Sequence, residues 1–274
     1  MTPPEAPARE PGGAAARGAA AHRWLAGRRD DTGAVADVYV FAHAGGSVGE
    51  YLRWAGDLAG LRVRGVQLPG RSARLAEPAY DRLAPLVEDL VAQVSFAGPC
   101  VFLGHSFGAL VAYETARALH RDGRPGPGRL VLSSLPPPHL LGAGAAGPKR
   151  PLAALPDGEL VDAVEQRWGP LAEQVRRDPG LRRLVLDPLR SDLRVLESYT
   201  HRPGPRLPTP ATLVCGSEER EDLRMDGWSD HLEQVTGPLP GGHFHFRTDR
   251  APLLATVREA ARTLTTSRHR GDVI

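Results

Sequence analysis

The clearest structural signal in this chain is Cys100-Val101-Phe102-Leu103-Gly104-His105-Ser106-Phe107-Gly108-Ala109-Leu110. Its first four residues form a short apolar run, which is typical of a strand that is buried on both faces of a sheet. The residues from Phe107 onwards favour a buried helix. Ser106 lies at the turn between the two, and the small residues Gly104 and Gly108 allow such a turn to pack closely. The segment therefore predicts a strand, a strained turn that exposes a serine, and a helix.

On both sides of this segment, short apolar runs alternate with helical patterns. The predicted strands are residues 38–42, 63–66, 100–103, 130–132 and 212–215. The predicted helices are residues 51–58, 83–94, 107–119 and 252–264. This alternation is typical of an α/β protein with a mostly parallel sheet and helices on both faces.

Residues 136–206 interrupt the alternation, because they open with three prolines and then carry only helical patterns. Asp157 is expected to cap a helix whose Leu160, Val164 and Trp168 share one face, and residues 181–199 continue as a second helix. Open α/β sheets bind ligands at the carboxyl ends of their strands. The segment therefore predicts a helical lid over those ends. The alternative is two ordinary crossover helices, although the segment is longer than most connections.

The 274 residues are enough for one large domain. Residues 1–21 are rich in Pro, Ala and Gly and carry no apolar period, so they are predicted to be a disordered leader. The domain is expected to span residues 22–266, and residues 267–274 are expected to be a flexible tail.

Composition excludes several classes of function. A net charge of +2 with scattered basic residues argues against nucleic-acid binding. No apolar run is long enough to span a membrane or to serve as a secretion signal, so we expect a soluble, cytoplasmic protein. Cys100 and Cys215 lie in apolar runs and are expected to be buried and free. No His, Cys and carboxylate cluster has ligand spacing, so no metal or cofactor is expected.

Two segments match the pattern Gly-x-Ser-x-Gly, one around Ser47 and one around Ser106. Ser106 has the strand before it and the helix after it that a nucleophilic serine needs. Ser47 follows the first convincing strand, which we expect to lie away from the centre of the sheet. Ser47 is therefore interpreted as a structural helix cap.

A serine becomes a good nucleophile when a histidine takes its proton and a carboxylate orients that histidine. His243 is the chosen base, because it follows Gly241-Gly242 after the last predicted strand and precedes the final helix. His245 is the nearest rival. His105 is adjacent to Ser106 and is expected to have a packing role.

Four ordered motifs resemble the type II thioesterases of polyketide and nonribosomal-peptide assembly lines. They are residues 41–47, 67–71, 104–110 and 241–244, and residues 189–192 and 199–205 add weaker likeness. The resemblance implies an α/β-hydrolase fold with a lid. It also implies hydrolysis of acyl groups from the phosphopantetheine arm of acyl or peptidyl carrier proteins, which clears stalled or misprimed chains. The enzyme itself would need no cofactor.

The acid of the triad is where the sequence departs from this family. In related chain-terminating domains the acid commonly follows the strand after the nucleophile helix, but Ser133 and Ser134 stand there in this chain. The family usually has Asp three residues after the glycine that corresponds to Gly216, and this chain has Glu219. We therefore expect Glu219 to be the acid. The nearby carboxylates remain alternatives: Glu218, Asp222 and Asp226.

The oxyanion hole is predicted to consist of the backbone N–H groups of Phe107 and Ala44, the latter in a loop that resembles the His-Gly-Gly loops of such enzymes. Arginines are expected to present positive charge to substrate or to an acidic carrier protein, unless they only solvate helix faces. The candidates are Arg71, Arg182, Arg183 and Arg190, with Arg176, Arg177 and Arg194 close to them in sequence.

Three other functions remain open from the sequence. A carboxylesterase of the same fold would use the same residues on oxoesters. A catalytically inactive hydrolase fold would only bind its ligand. Chain release by cyclisation would use the same triad with water excluded.

Overall fold

The computed structural model describes residues 23–27, 33–142, 150–232 and 239–271. Within them lies a six-stranded sheet of order β1-β3-β2-β4-β5-β6. The strands are β1 (Leu25–Ala26), β2 (Ala36–Phe41), β3 (Leu61–Val66), β4 (Cys100–His105), β5 (Arg129–Ser133) and β6 (Ala211–Val214). All neighbouring pairs are parallel except β1 with β3. The predicted mostly parallel sheet is confirmed. The predicted leader, residues 1–21, lies outside the described residues.

The helices connect these strands in the expected order. They are α1 (Val48–Leu52), α2 (Leu83–Gln93), α3 (Phe107–Arg121), α4 (Asp157–Trp168), α5 (Glu173–Arg177), α6 (Pro179–Ser198), α7 (Arg220–Leu223), α8 (His245–Thr248) and α9 (Ala251–Gly271). In the described parts of the chain, no helix is both long and apolar enough to cross a lipid bilayer.

Both faces of the sheet are covered, which is why every residue of the central strands β2 and β4 is buried. In β4, Phe102 packs into the cluster that contains α2 and α3, whereas Val101 packs into the cluster that contains α9. Successive side chains of a strand point to opposite faces, so each cluster takes alternate residues. Cys100 and Cys215 are buried, as predicted, and neither is part of a disulfide among the described residues.

Three local predictions differ from the structure. β1 was not predicted, because two residues are too few to show a period. The helix predicted at residues 51–58 is α1, which starts earlier, followed by a 3₁₀ turn at Arg53–Gly56. The last helix was predicted to end at 264 but continues to Gly271, past the start of the predicted tail. Residues 265–270 contain no Pro or Gly, so nothing in the sequence stops the helix there.

Between β5 and β6 the chain forms α4, α5 and α6, and a small apolar cluster joins α4 to α6. Pro156, and not Asp157, is the N-cap residue of α4, while the side chain of Asp178 caps α6. The insertion contacts the carboxyl end of the sheet: Trp168 lies with its ring 6.1 Å from the ring of His243. That this insertion works as a lid stays a prediction.

Candidate active site

Ser106 occupies a strained turn at the carboxyl end of β4. Its backbone has φ 52° and ψ −122°, which is unfavourable for a residue with a side chain. The turn is held by two hydrogen bonds: Ser106 N–H donates to the carbonyl of Ser133 (2.7 Å), and the carbonyl of Ser106 accepts from Ala109 N–H (2.8 Å). The strand, strained turn and helix predicted from the sequence are therefore present.

The glycines on either side of Ser106 lie where no side chain fits. A Cβ on Gly104 would be 2.5 Å from the Cα of Ala109, and a Cβ on Gly108 would be 2.0 Å from the carbonyl oxygen of Phe41. Because Gly108 has no Cβ, the start of α3 can lie directly against the end of β2. The loop that follows β2 is thereby held near Ser106.

The strand before Ser47 was predicted to lie away from the centre of the sheet, and this prediction is wrong. β2, which precedes Ser47, lies between β3 and β4 in the centre of the sheet. Backbone conformation separates the two serines instead. Ser47 is extended (φ −107°, ψ 139°), and its hydroxyl accepts from Gly49 N–H to cap α1.

His243 and Glu219 form a hydrogen-bonded pair. His243 Nδ1 lies 2.7 Å from Glu219 Oε2, and the two side chains are 10% and 16% exposed. An ionised carboxylate only accepts hydrogen bonds, so in the neutral form of the imidazole the proton is on Nδ1 and the lone pair is on Nε2.

The other carboxylate oxygen of Glu219 is also satisfied. Oε1 accepts from Gly216 N–H (3.1 Å) and from the hydroxyl of Ser134. Burial raises the pKa of Glu219, but the hydrogen bond and charge of His243, with the bonds from Ser134 and Gly216, outweigh it. The pKa of this carboxyl is therefore lowered from its ordinary value, and the carboxylate stays ionised at neutral pH.

The pair lies beside the strained turn. The imidazole of His243 has its centroid 5.0 Å from that of His105, the residue directly before Ser106. The structure thus brings the pair of His243 and Glu219 next to the turn that carries Ser106, at the carboxyl edge of the sheet.

The rival residues have other partners. His105 Nδ1 and His245 Nε2 each lie 3.0 Å from the hydroxyl of Ser133, and burial lowers the pKa of both histidines. The alternative carboxylates are exposed: Glu218, Asp222 and Asp226. Among the described residues, Glu219 is the carboxylate that contacts His243.

The two predicted oxyanion donors have no competing acceptor among the residues that the structure describes. Phe107 is the first residue of α3, so its N–H has no carbonyl partner four residues earlier in the helix. Ala44 lies in the loop after β2, and its N–H donates to no other described residue. Their part in catalysis stays a prediction.

Most of the predicted arginines are bonded within the protein. Arg71 is buried against Asp192, Arg190 pairs with Asp157, and Arg182 donates to the carbonyl of Val175. Arg176 pairs with Asp162 and Glu165 of α4, and Arg177 pairs with Glu173 of its own helix. Arg183 and Arg194 are exposed and form no ion pair with another described residue. The expected positive surface is therefore reduced mainly to these two.

Sequence reasoning missed the role of Ser134 in holding Glu219 and that of Asp192 in binding Arg71. In the sequence, Ser134 stands near the position where related chain-terminating domains have the triad acid, and no role was predicted for its hydroxyl. Asp192 stood in a motif with no assigned role. In the described residues, no group of three or more His, Cys, Asp or Glu is placed to hold a metal ion.

Known proteins resemble this chain over most of its length. The family model described as "Thioesterase domain" matches residues 36–262. The thioesterase PikA5 of Streptomyces venezuelae is 32% identical over 212 residues, which cover 74% of this chain and 73% of that protein.

Two solved structures carry the same fold. BorB, the type II thioesterase from the borrelidin biosynthetic cluster, has 30% identity and a TM-score of 0.72, over 87% of this chain and 97% of that one. YbtT, the type II thioesterase from the yersiniabactin NRPS/PKS pathway, has 28% identity and a TM-score of 0.73, over 88% and 99%. The chain belongs to the thioesterase family, whose members of this type are serine hydrolases with the α/β-hydrolase fold.

Proposed function

We propose that this protein hydrolyses acyl groups from the phosphopantetheine arm of acyl or peptidyl carrier proteins, as an editing thioesterase of polyketide or nonribosomal-peptide assembly. The observation that carries the proposal is the 2.7 Å contact between His243 and Glu219 beside the strained Ser106 turn. The family supports the thioester as substrate, and the type II relatives support the carrier protein.

In the first half of the reaction, Ser106 Oγ attacks the thioester carbonyl carbon while His243 Nε2 takes the hydroxyl proton. The carbonyl oxygen becomes an oxyanion, which accepts hydrogen bonds from the N–H groups of Phe107 and Ala44. The C–S bond then breaks, and His243 returns the proton to the departing phosphopantetheine thiolate. The acyl group is left as an ester on Ser106.

In the second half, a water molecule attacks the ester carbonyl and His243 Nε2 takes a proton from it. The same two N–H groups stabilise the second oxyanion. The bond to Ser106 breaks, the serine regains the proton from His243, and a free acid leaves. Glu219 holds the imidazole in the required tautomer and stabilises its cationic form in both halves.

The proposal is tested by steady-state hydrolysis of a panel of acyl-loaded carrier proteins, with acyl-CoA and an oxoester of equal chain length beside them. We expect kcat/KM to be highest for the carrier-bound thioesters, and Ser106→Ala to be inactive on all of them. Faster hydrolysis of the oxoester would assign the protein to the carboxylesterases. No turnover and no labelling of the wild type by a fluorophosphonate would indicate an inactive binding protein.

Product analysis completes the test, because a free acid and a cyclic product differ in mass by one water. We expect the free acid.

The carrier protein as partner is supported by the exposed Arg183 and Arg194 on α6, since carriers of this kind usually offer an acidic helix. The cytoplasmic location expected from the sequence stays a prediction.

A further inference from the structure

A buried ion pair joins the insertion to the body of the domain. Arg71, in the loop after β3, donates two hydrogen bonds to Asp192 of α6, both 2.6 Å long. The two side chains are only 8% and 4% exposed. The pair unites two sequence motifs that the triad chemistry does not use, residues 67–71 and 189–192.

The same two residues also form hydrogen bonds with the loop that follows β2. Asp192 Oδ2 accepts a hydrogen bond from Gly45 N–H (2.8 Å), and Arg71 donates to the carbonyl of Gly46 (3.4 Å). The peptide group that contains Gly45 N–H also contains the carbonyl of Ala44. Fixing this peptide limits the rotation of Ala44, whose own N–H is the proposed oxyanion donor one peptide earlier.

Gly45 permits this close contact between the loop and α6. It has φ +69°, and a Cβ there would lie 2.9 Å from the Cβ of Leu189, which is on the same face of α6 as Asp192. The loop is therefore held against one face of α6, by packing on Leu189 and by a charge-assisted hydrogen bond to Asp192.

We propose that Arg71 and Asp192 are positioning residues that hold residues 43–46 so that Ala44 N–H faces the oxyanion, and that they couple the placement of α6 to the oxyanion hole. The inference rests on the proposed function, because it assumes that Ala44 N–H binds the oxyanion. A displaced α6 would turn this donor away and slow acyl transfer, with the triad itself unchanged.

The test compares Asp192→Asn with the paired replacement Arg71→Met/Asp192→Leu, which removes both charges and leaves none buried alone. Three quantities are measured: kcat and KM for a short acyl thioester, and the inhibition constant of an alkyl trifluoromethyl ketone of the same chain length. The ketone forms an adduct with Ser106 whose oxyanion occupies the hole. The folded fraction is measured by circular dichroism in the same buffer, and kcat is referred to it.

We expect kcat to fall about 10²-fold in both variants with little change in KM, close to the loss of one oxyanion donor. The affinity for the ketone should fall by a similar factor. The matched control is Asp37→Asn, which breaks the pair between Asp37 and Arg62 at the opposite end of β2. It should lower stability and leave kcat and ketone affinity unchanged.

A wild-type kcat in either folded variant would overturn the inference. So would a lower kcat with unchanged ketone affinity, because the oxyanion hole would then be intact. Neither result would affect the proposed function, which fails instead if the wild type does not hydrolyse thioesters or if Ser106→Ala does.

Discussion

Glu219 reaches His243 because its side chain folds back over its own turn. Glu219 N–H donates to the carbonyl of Gly216 (3.2 Å), and Glu219 Oε1 accepts from Gly216 N–H (3.1 Å). The remaining oxygen, Oε2, is then 2.7 Å from His243 Nδ1. Because the Glu219 side chain folds back over the turn, its extra methylene relative to Asp does not push the carboxylate past the imidazole. The hydrogen bond to His243 therefore has an ordinary length.

Replacing the nucleophile should separate Ser106 from Ser47. Ser106→Ala should keep its fold and lose turnover by about 10⁴-fold or more, since no acyl-enzyme forms. Ser47→Ala should keep most of its activity and lose about 1 kcal/mol of stability, the usual value of an N-cap. Steady-state kinetics and thermal unfolding check both. Exchanged activities in the two variants would show that the nucleophile is assigned to the wrong serine.

The acid is tested with Glu219→Gln beside Glu218→Gln and Asp222→Asn. In Glu219→Gln the amide still fits but favours the wrong tautomer of His243, so kcat should fall by about 10⁴-fold. The two control carboxylates are exposed, and their loss should have little effect on kcat. If Glu219→Gln kept nearly wild-type kcat and one of the other two variants lost it, the acid would be reassigned to the residue replaced in that variant.

The hydroxyl of Ser134 should help to hold the Glu219 carboxylate in place, without itself reacting with the substrate. Ser134→Ala removes the hydroxyl bond to Glu219, and kcat should fall about tenfold, as expected for a hydrogen bond to a charged group. The matched control is Ser133→Ala, which breaks the bonds to His105 and His245 and leaves Glu219 untouched. It should cost stability more than kcat. Equal kcat values for the two variants would contradict the role given to Ser134.

Stability should fall in mild acid partly because of His43. Burial lowers the pKa of His43 to about 3, whereas an unfolded histidine titrates near its ordinary value. Between these two pKa values the unfolded chain binds a proton that the folded chain does not. The contribution of His43 to the free energy of unfolding therefore decreases as the pH drops below about 6.5, and it continues to decrease down to about pH 3. Between pH 7 and pH 5 the decrease is about 2 kcal/mol.

Urea unfolding at pH 7 and pH 5 measures this contribution. In His43→Gln, the loss of stability between the two pH values should be smaller than in the wild type by about 2 kcal/mol. The control is Tyr51→Phe, which removes the hydroxyl 2.8 Å from His43 Nδ1 and keeps the histidine. Its pH dependence should match that of the wild type. An unchanged pH dependence in His43→Gln would refute the prediction.

Positive charge on α6 should matter for carrier proteins and not for small substrates. The double variant Arg183→Glu/Arg194→Glu should lower kcat/KM for a carrier-bound thioester about tenfold at low salt, with a smaller effect at high salt. Activity on a small acyl thioester should not change. The control is Arg121→Glu/Arg258→Glu, which makes the same charge change on α3 and α9. An equal effect of both double variants would favour a nonspecific effect of net charge.

The local parts of the site could be predicted from sequence because their signals are local. The apolar run of β4, Ser106 between two glycines, and the helical residues after it lie within a few positions of one another, and each restricts the backbone of its neighbours. The order serine, carboxylate, histidine and the motif around Gly241-Gly242 then pointed to His243. The same reasoning misplaced β2, since the order of strands in a parallel sheet does not follow the order of the chain.

Contacts between distant residues were decided only by the tertiary structure. The sequence favoured Glu219 and left Glu218, Asp222 and Asp226 as alternatives, and the turn at Gly216 directs the Glu219 carboxylate to His243, 24 residues away. Arg71 and Asp192 are 121 residues apart, and neither shows a preference for the other in its local sequence. The reason is that a charged side chain takes its partner from what packing brings within hydrogen-bond distance, and packing depends on the whole chain.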